Sequence, residues 1–174
     1  MNRAVFLDRD GVICYDVHYM SSPEQFRLMP GVAEGIREIN KMGYLVIVVT
    51  NQSGLKRGII DSMALEEIHK KMVIELKEKG ARIDDIFVCP CLPEEDCECR
   101  KPRPGMLLQA AIKHGIDLSS SFMIGDQQID ADAGRAAGCK TILIITTTED
   151  QSLNADFKVK SFMEAVKIIG SSTG

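Results

Sequence analysis

Residues 44–54 read YLVIVVTNQSG, and this stretch decides the fold class. The run from Tyr44 to Thr50 is continuously apolar or β-branched. Such a run is typical of a strand buried on both faces, as in a parallel sheet that is covered by helices. The polar residues that follow, NQSG, mark the point where the predicted strand ends.

Strands and helices alternate on both sides of this run. Further strands are predicted over residues 4–7, 84–88, 122–125, 141–145 and 157–159. Helical patterns with start and stop residues fill the intervals, over residues 32–42, 61–79, 104–114, 131–137 and 162–169. The alternation predicts an α/β fold, a parallel sheet with helices on both faces. We expect one domain over residues 1–174, with a loose tail over residues 170–174.

Composition excludes several classes of protein. The 174 residues are 45% hydrophobic and 26% charged, which is typical of a globular domain. The net charge of −4 provides no basic field, so we expect neither nucleic acid nor a membrane as partner. No apolar run is long enough to span a membrane or to form a signal peptide. We therefore expect a cytoplasmic monomer that acts on a small molecule.

Polar residues follow four of the predicted strands, at the edge of the sheet where parallel strands place their ligand site. They lie in the segments DRDG (8–11), TNQSG (50–54), RK (100–101) and GDQQID (125–130). Crowded carboxylates repel one another unless a cation joins them, and their oxygens suit Mg²⁺. The threonine and the lysine would bind an anion such as phosphate against that metal. Each segment alone could be a turn, a helix cap or a surface charge, but the combination favours metal-assisted phosphoryl transfer.

Four of the six cysteines form a C-x-C-x₅-C-x-C cluster of Cys89, Cys91, Cys97 and Cys99. Four thiolates suit tetrahedral Zn²⁺, and a site with four protein ligands has no position for an activated water. Disulfides and free thiols are the alternatives. The absence of a secretion signal favours a structural zinc loop, over about residues 89–99, that fixes the basic pair following it.

The order DxDG, TN, K and GDxxxD resembles the haloacid dehalogenase (HAD) superfamily of phosphohydrolases, over nearly the whole chain. Within that superfamily, FLDRDGV, VTNQSGLKRG, the CPC…CECRKPRPGM block and MIGDQQIDADAGRAAG look like the D-glycero-D-manno-heptose 1,7-bisphosphate 7-phosphatases. The histidinol-phosphatases share most of these features. The resemblance implies a HAD-like Rossmannoid sheet with a minimal cap and a zinc-binding loop.

The resemblance also implies roles for individual residues. Asp8 would attack phosphorus and form an aspartyl-phosphate, and Asp10 would act as general acid and then general base. Thr50 and Lys101 would bind the phosphoryl oxygens. The implied Mg²⁺ ligands are Asp8, the backbone carbonyl of Asp10, and Asp126, with Asp130 as an outer or water-mediated partner. The implied substrate contacts are Asp16, Val17, His18, Tyr19, Asn51, Gln52, Ser53, Arg100 and Gln127.

Two positions depart from the family pattern. Gln127 stands where the heptose bisphosphate phosphatases usually carry a lysine, and Cys91 stands where their zinc loop usually has a histidine. The predicted activity is hydrolysis of the 7-phosphate of heptose 1,7-bisphosphate. The alternatives are a histidinol-phosphate phosphatase and a catalytically weak, zinc-stabilised binding protein on the same scaffold. A phospho-acceptor receiver domain fits less well, because it needs no acid/base residue at Asp10.

Overall fold

The computed structural model describes residues 1–147 and 152–172. Six strands form one sheet in the order β3-β2-β1-β4-β5-β6. Every neighbouring pair is parallel. The strands are β1 (Ala4–Leu7), β2 (Leu45–Asn51), β3 (Asp85–Cys89), β4 (Phe122–Gly125), β5 (Lys140–Ile144) and β6 (Phe157–Val159). The helices are α1 (Val32–Lys41), α2 (Ser62–Glu78), α3 (Gly105–His114), α4 (Gln128–Ala137) and α5 (Phe162–Ser171). The predicted α/β fold is confirmed.

The helices cover both faces of the sheet because alternate strand residues point to opposite sides. Val46 and Val48 of β2 belong to a core shared with the buried residues of α1, α2 and α5. Ile47 and Val49 belong to a second core shared with α3 and α4. The continuous apolar run of β2 therefore fills two hydrophobic cores at once, as the sequence predicted.

Element ends differ from the prediction by a few residues. Helix α4 begins at Gln128, three residues before the predicted start, because the Asp130 carboxylate accepts the backbone N–H of Gln127 at 3.1 Å and satisfies a free donor of the first turn. Helix α5 continues through Ser171, beyond its predicted end and into the predicted loose tail. The last two residues of that tail, 173–174, lie outside the described residues.

Short segments surround the edge of the sheet where the strands end. Residues 8–31 and 52–61 contain only turns, isolated bridges and one short 3₁₀ helix, Pro23–Gln25. The chain order of the strands reverses between β1 and β4, and this reversal opens a crevice at the carboxyl ends of the strands. In residues 1–147 and 152–172, no helix is both long and apolar enough to cross a membrane.

Candidate active site

A pocket of about 250 Å³ lies at the carboxyl ends of β1, β2 and β4. Its walls come from the segments that follow these strands and from the loop before α3. The residues that line it are Asp8, Asp10, Asp16, His18, Tyr19, Met20, Asn51, Gln52, Ser53, Arg100, Lys101, Gln127 and Ile129. The parallel sheet thus brings together side chains that lie far apart in the sequence, as the strand-end argument predicted.

Lys101 stands at the centre of the site, with only 2% of its surface exposed. Its Nζ lies 2.9 Å from Asp8 Oδ1 and 2.7 Å from Asp130 Oδ1, and it donates to the Val49 carbonyl at 3.0 Å. Burial alone would lower the pKa of this amine, but the carboxylates of Asp130 and Asp8 outweigh it and raise the pKa. Lys101 is therefore a fixed positive charge within the carboxylate cluster.

Asn51 holds the backbone of Lys101 in place. Its side-chain amide donates to the Lys101 carbonyl at 3.1 Å, and its Oδ1 accepts the Lys101 N–H at 3.1 Å. The two bonds use both backbone groups of one residue, so they fix the point where the loop after β3 passes the end of β2. Asn51 thus positions the lysine as well as lining the pocket.

Three carboxylates, of Asp8, Asp126 and Asp130, converge beside this lysine. One oxygen from each lies within 4.8 Å of the others. Both Asp130 oxygens are engaged, Oδ1 by Lys101 and Oδ2 by the backbone N–H groups of Asp126 at 3.2 Å and Gln127 at 3.1 Å. By contrast, Asp126 Oδ1 is buried and has no hydrogen-bond partner among the described residues. A buried carboxylate oxygen without a donor is a natural ligand for a hard cation, so this group fits Mg²⁺.

The carboxyl groups also have unusual proton affinities. Burial, with the charge of Asp130 as a further cause, raises the pKa of Asp8 and of Asp126 to about 7. The Lys101 charge opposes this rise at both positions. A divalent cation beside these oxygens would stabilise the charged carboxylates.

Gly11 allows the first loop to pass close to Asp126. Its φ is +83°, a left-handed conformation, and a Cβ at this position would collide with the Asp126 carboxylate. The glycine of the DRDG segment is therefore required both by the backbone turn and by the close approach of the Asp126 side chain.

Asp10 lines the pocket, and hydrogen bonds from Arg9 and Gln52 hold its carboxylate in place. Nη2 of Arg9 donates to Oδ1 at 3.0 Å and to Oδ2 at 2.9 Å, and the Gln52 amide donates to Oδ2 at 2.9 Å. The same Gln52 amide donates to Thr50 Oγ1 at 2.8 Å. Thr50 is only 1% exposed and is not among the pocket-lining residues. Its hydroxyl fixes the Gln52 side chain in this structure.

The loop after β1 supplies one wall of the pocket through Asp16, His18 and Tyr19. His18 and Tyr19 both adopt positive φ angles, of 49° and 58°. Such angles are uncommon for residues other than glycine, and they cluster at functional sites. Val17, predicted as a substrate contact, does not line the pocket and is 37% exposed. Met20 and Ile129 do line it, although the polar-residue pattern gave no signal for either apolar side chain.

The four clustered cysteines converge after β3. The Sγ atoms of Cys89, Cys91, Cys97 and Cys99 all lie within 4.8 Å of one another. At one point the structure differs from the expectation of four thiolates: Cys91 and Cys97 are linked as a disulfide. Because all four sulfurs point at a common centre, two of them can approach to bonding distance, and Cys97 Sγ is also 3.1 Å from Cys99 Sγ.

The cysteine loop positions Arg100, whose Nη1 donates to the Cys91 carbonyl at 2.9 Å. Arg100 also lines the pocket. Arg103 pairs with the Asp96 and Glu98 carboxylates. Lys101 is neutralised by Asp8 and Asp130, so Arg100 is the pocket cation that forms no ion pair with a described residue.

Comparison with known proteins places the chain in a family. The family of HAD-hydrolase-like proteins matches residues 98–165. The chain is 46% identical to the D-glycero-β-D-manno-heptose-1,7-bisphosphate 7-phosphatase of Rhodopseudomonas palustris, over 78% of this chain and 79% of the relative. The chain belongs to the heptose-bisphosphate phosphatase family of HAD-like hydrolases.

Two further relatives agree with this assignment. A D-glycero-α-D-manno-heptose-1,7-bisphosphate 7-phosphatase of Photorhabdus laumondii is 39% identical, over 83% of each chain. The crystal structure of D,D-heptose 1,7-bisphosphate phosphatase from B. bronchiseptica, complexed with magnesium and phosphate, superimposes with a TM-score of 0.88. It is 31% identical and the match covers 97% of this chain and 98% of that one. Family members are thus named for both anomers of the heptose bisphosphate.

Proposed function

We propose that this protein is a Mg²⁺-dependent phosphatase that hydrolyses the 7-phosphate of D-glycero-D-manno-heptose 1,7-bisphosphate. The family assignment makes it a phosphoric monoester hydrolase, and the names of its relatives supply the substrate class. The observation that carries the proposal is the group formed by Asp8, Lys101, Asp126 and Asp130. It combines a buried carboxylate oxygen that has no hydrogen-bond partner, Asp126 Oδ1, with the buried ammonium group of Lys101, and Lys101 and Asp8 line the pocket.

Asp8 and Asp126, with the backbone carbonyl of Asp10, would hold the magnesium ion. When bound, Mg²⁺ supplies a positive charge that screens the carboxylates and stabilises negative charge on the phosphoryl oxygens. Asp130 is better suited to an outer role, because both of its oxygens already accept hydrogen bonds from Lys101 and from backbone N–H groups.

The carboxylate of Asp8 would form the new bond to phosphorus while the bond from phosphorus to the sugar oxygen breaks. The protonated Asp10 gives its proton to that departing oxygen, which leaves as a hydroxyl group. In the second step Asp10, now a carboxylate, takes a proton from the water that attacks the aspartyl-phosphate. Asp8 is released as a carboxylate together with inorganic phosphate, and Asp10 is protonated again.

Lys101 would contact the phosphoryl oxygens through the charge that already faces Asp8, and we propose that the Thr50 hydroxyl contributes a further donor when substrate binds. The remaining pocket residues would contact the sugar. Arg100 is suited to the second phosphate because a guanidinium group binds phosphate through two N–H donors. The other proposed contacts are the pocket-lining residues Asp16, His18, Tyr19, Asn51, Gln52, Ser53 and Gln127.

We further propose that the four cysteines bind a structural Zn²⁺. A tetrahedral site with Zn–S bonds of about 2.3 Å has sulfur–sulfur distances of roughly 3.8 Å. The Sγ atoms of Cys89 and Cys97 lie 3.7 Å apart, and those of Cys91 and Cys99 lie 3.9 Å apart. A single disulfide explains only two of the four converging thiols. Zinc content together with a count of thiols in the unfolded, metal-free chain distinguishes the two states. Bound zinc with all six cysteines of the chain as thiols supports the site, and a zinc-free protein with only four thiols contradicts it.

A substrate panel tests the proposed activity. Initial rates are measured with both anomers of heptose 1,7-bisphosphate, histidinol phosphate and several other sugar phosphates, with and without Mg²⁺. The proposal predicts the highest kcat/KM on a heptose bisphosphate and a dependence on Mg²⁺. A higher kcat/KM on histidinol phosphate would support the alternative substrate and contradict ours.

An Asp8→Asn variant is the control for this panel. The variant keeps the size of the side chain but loses the nucleophilic carboxylate, so it should have no measurable turnover. If wild-type protein showed no Mg²⁺-dependent turnover above this variant, the chain would instead be a binding protein on the same scaffold. We also propose that the protein acts as a cytoplasmic monomer without nucleic acid or membrane partners. A measurement of its molecular mass in solution tests whether it is a monomer.

A further inference from the structure

Arg9 is a fully buried arginine that lies behind the pocket. Its side chain is only 1% exposed, and it does not line the pocket. Besides the two bonds from Nη2, its Nε donates to Asp10 Oδ1 at 3.2 Å. An arginine that grips one carboxylate through two nitrogens leaves its remaining nitrogen, Nη1, in need of a partner, because a buried donor without an acceptor is costly.

His69 of α2 is that partner. Its Nε2 lies 3.2 Å from Arg9 Nη1. A guanidinium group has donors only, so His69 Nε2 must be unprotonated and must accept. Burial and the Arg9 charge agree with this geometry, since they lower the pKa of His69 to about 4. His69 does not line the pocket, and sixty residues separate it from Arg9 in the sequence.

His69 and Arg9 form a chain of hydrogen bonds that ends at the carboxyl group of Asp10. His69 fixes Arg9, Arg9 donates to both oxygens of Asp10, and Gln52 donates a further hydrogen bond to Asp10 Oδ2. General acid catalysis needs the carboxyl group within hydrogen-bond reach of the leaving oxygen, and a displacement of about 1 Å can cost on the order of 100-fold in rate.

We propose that His69 is a positioning residue for this reaction: through Arg9 it holds the Asp10 carboxyl group in reach of the leaving oxygen. The assignment rests on the proposed function, in which Asp10 protonates the leaving group. Removal of the imidazole acceptor leaves Arg9 Nη1 unpaired, so the guanidinium group shifts toward another acceptor and carries Asp10 with it.

Two leaving groups separate this role from a general loss of structure. A sugar alkoxide needs a proton as it departs, whereas p-nitrophenolate is a stable anion and departs without one. We expect His69→Leu to lower kcat/KM by about tenfold or more on the sugar phosphate that the wild type hydrolyses fastest, because general acid catalysis typically contributes 100-fold or more. On p-nitrophenyl phosphate we expect a loss of less than about threefold.

Two further variants serve as controls. His69→Gln places an amide oxygen near the position of Nε2, so it should restore most of the kcat/KM on the sugar phosphate. Val73→Ala, one turn along α2, tests a loss of side-chain packing on the same helix and should affect both esters equally or not at all. The thermal midpoint is recorded for each variant, and His69→Ala replaces the leucine variant if that variant does not fold.

The outcomes are distinguishable. A selective loss on the sugar phosphate, with rescue by glutamine, supports the assignment. Equal losses on both esters, no loss, or a glutamine variant as impaired as leucine would overturn it while the wild-type activity stands. A wild-type protein inactive on both esters would overturn the proposed function itself.

Discussion

Replacement of Lys101 by methionine should strongly destabilise the fold as well as impair catalysis. The Lys101 side chain is 1% exposed, and its Nζ lies within 2.9 Å of Asp8 and Asp130, which are themselves 14% and 1% exposed. The methionine variant leaves these carboxylates buried without their counter-charge. Loss of one partner from a buried ion pair typically costs about 3–5 kcal/mol of the free energy of unfolding. We expect a loss in this range, measured by urea unfolding at neutral pH without divalent metal.

Lys113→Met is the matched control. Lys113 Nζ lies 2.7 Å from Asp85 Oδ2, as close as the Lys101 contact with Asp130, but the Lys113 side chain is 60% exposed. Solvent screens such a pair, so the control should lose only about 0–1 kcal/mol. Addition of Asp130→Asn to Lys101→Met should cost less than the sum of the two single changes, because it removes one of the stranded charges. Equal losses for the two lysine variants would refute the reasoning from burial.

Three other perturbations test other parts of the site. Asp10→Asn should reduce kcat far more than it raises KM, because the amide still fits the pocket but transfers no proton; comparable changes in both would argue against the acid/base role. Without metal, the free energy of unfolding should fall as pH rises from about 4 to 7, because the folded state then holds protons on Asp8 and Asp126 that the unfolded chain has released. Mg²⁺ should abolish this fall. A free energy of unfolding that does not change with pH in the absence of metal would contradict the raised pKa values. Removal of zinc by a strong chelator should increase amide hydrogen exchange in residues 89–101. It should also raise the KM for the sugar phosphate, because the loop would no longer hold Arg100 in the pocket. Unchanged hydrogen exchange and unchanged activity would contradict the structural role of zinc.

The fold could be predicted because its signals are local. The run from Tyr44 to Thr50 is long and apolar enough to identify a buried strand, and each helix carries its own period and stop residue. The helix predicted over residues 61–79 is capped at its start, where the Asp61 side chain accepts the Ala64 N–H at 2.8 Å. The start of α4 was placed too late because Asp130 acts as both a helix-terminal acceptor and a Lys101 partner, and a sequence pattern shows neither contact.

The candidate site could be predicted only in part. Strand ends converge in any parallel sheet, so the pocket residues that directly follow a strand, such as Asp8 and Asp10, could be placed from strand assignment. Asp16, His18 and Tyr19 are expected at the pocket only from the family resemblance. The residues behind the pocket could not be placed, because their roles depend on packing between distant segments. Arg9 would be expected at the surface by residue type, yet it is fully buried because Asp10 and His69 satisfy its donors.

The most direct test of the central claim is ³¹P NMR of purified protein with D-glycero-D-manno-heptose 1,7-bisphosphate and Mg²⁺. The proposed function predicts that the signal of the 7-phosphate disappears while inorganic phosphate appears in equal amount and the 1-phosphate signal persists. The Asp8→Asn protein should leave the spectrum unchanged. Release of the 1-phosphate, or no release by wild-type protein in the presence of Mg²⁺, would contradict the proposed function.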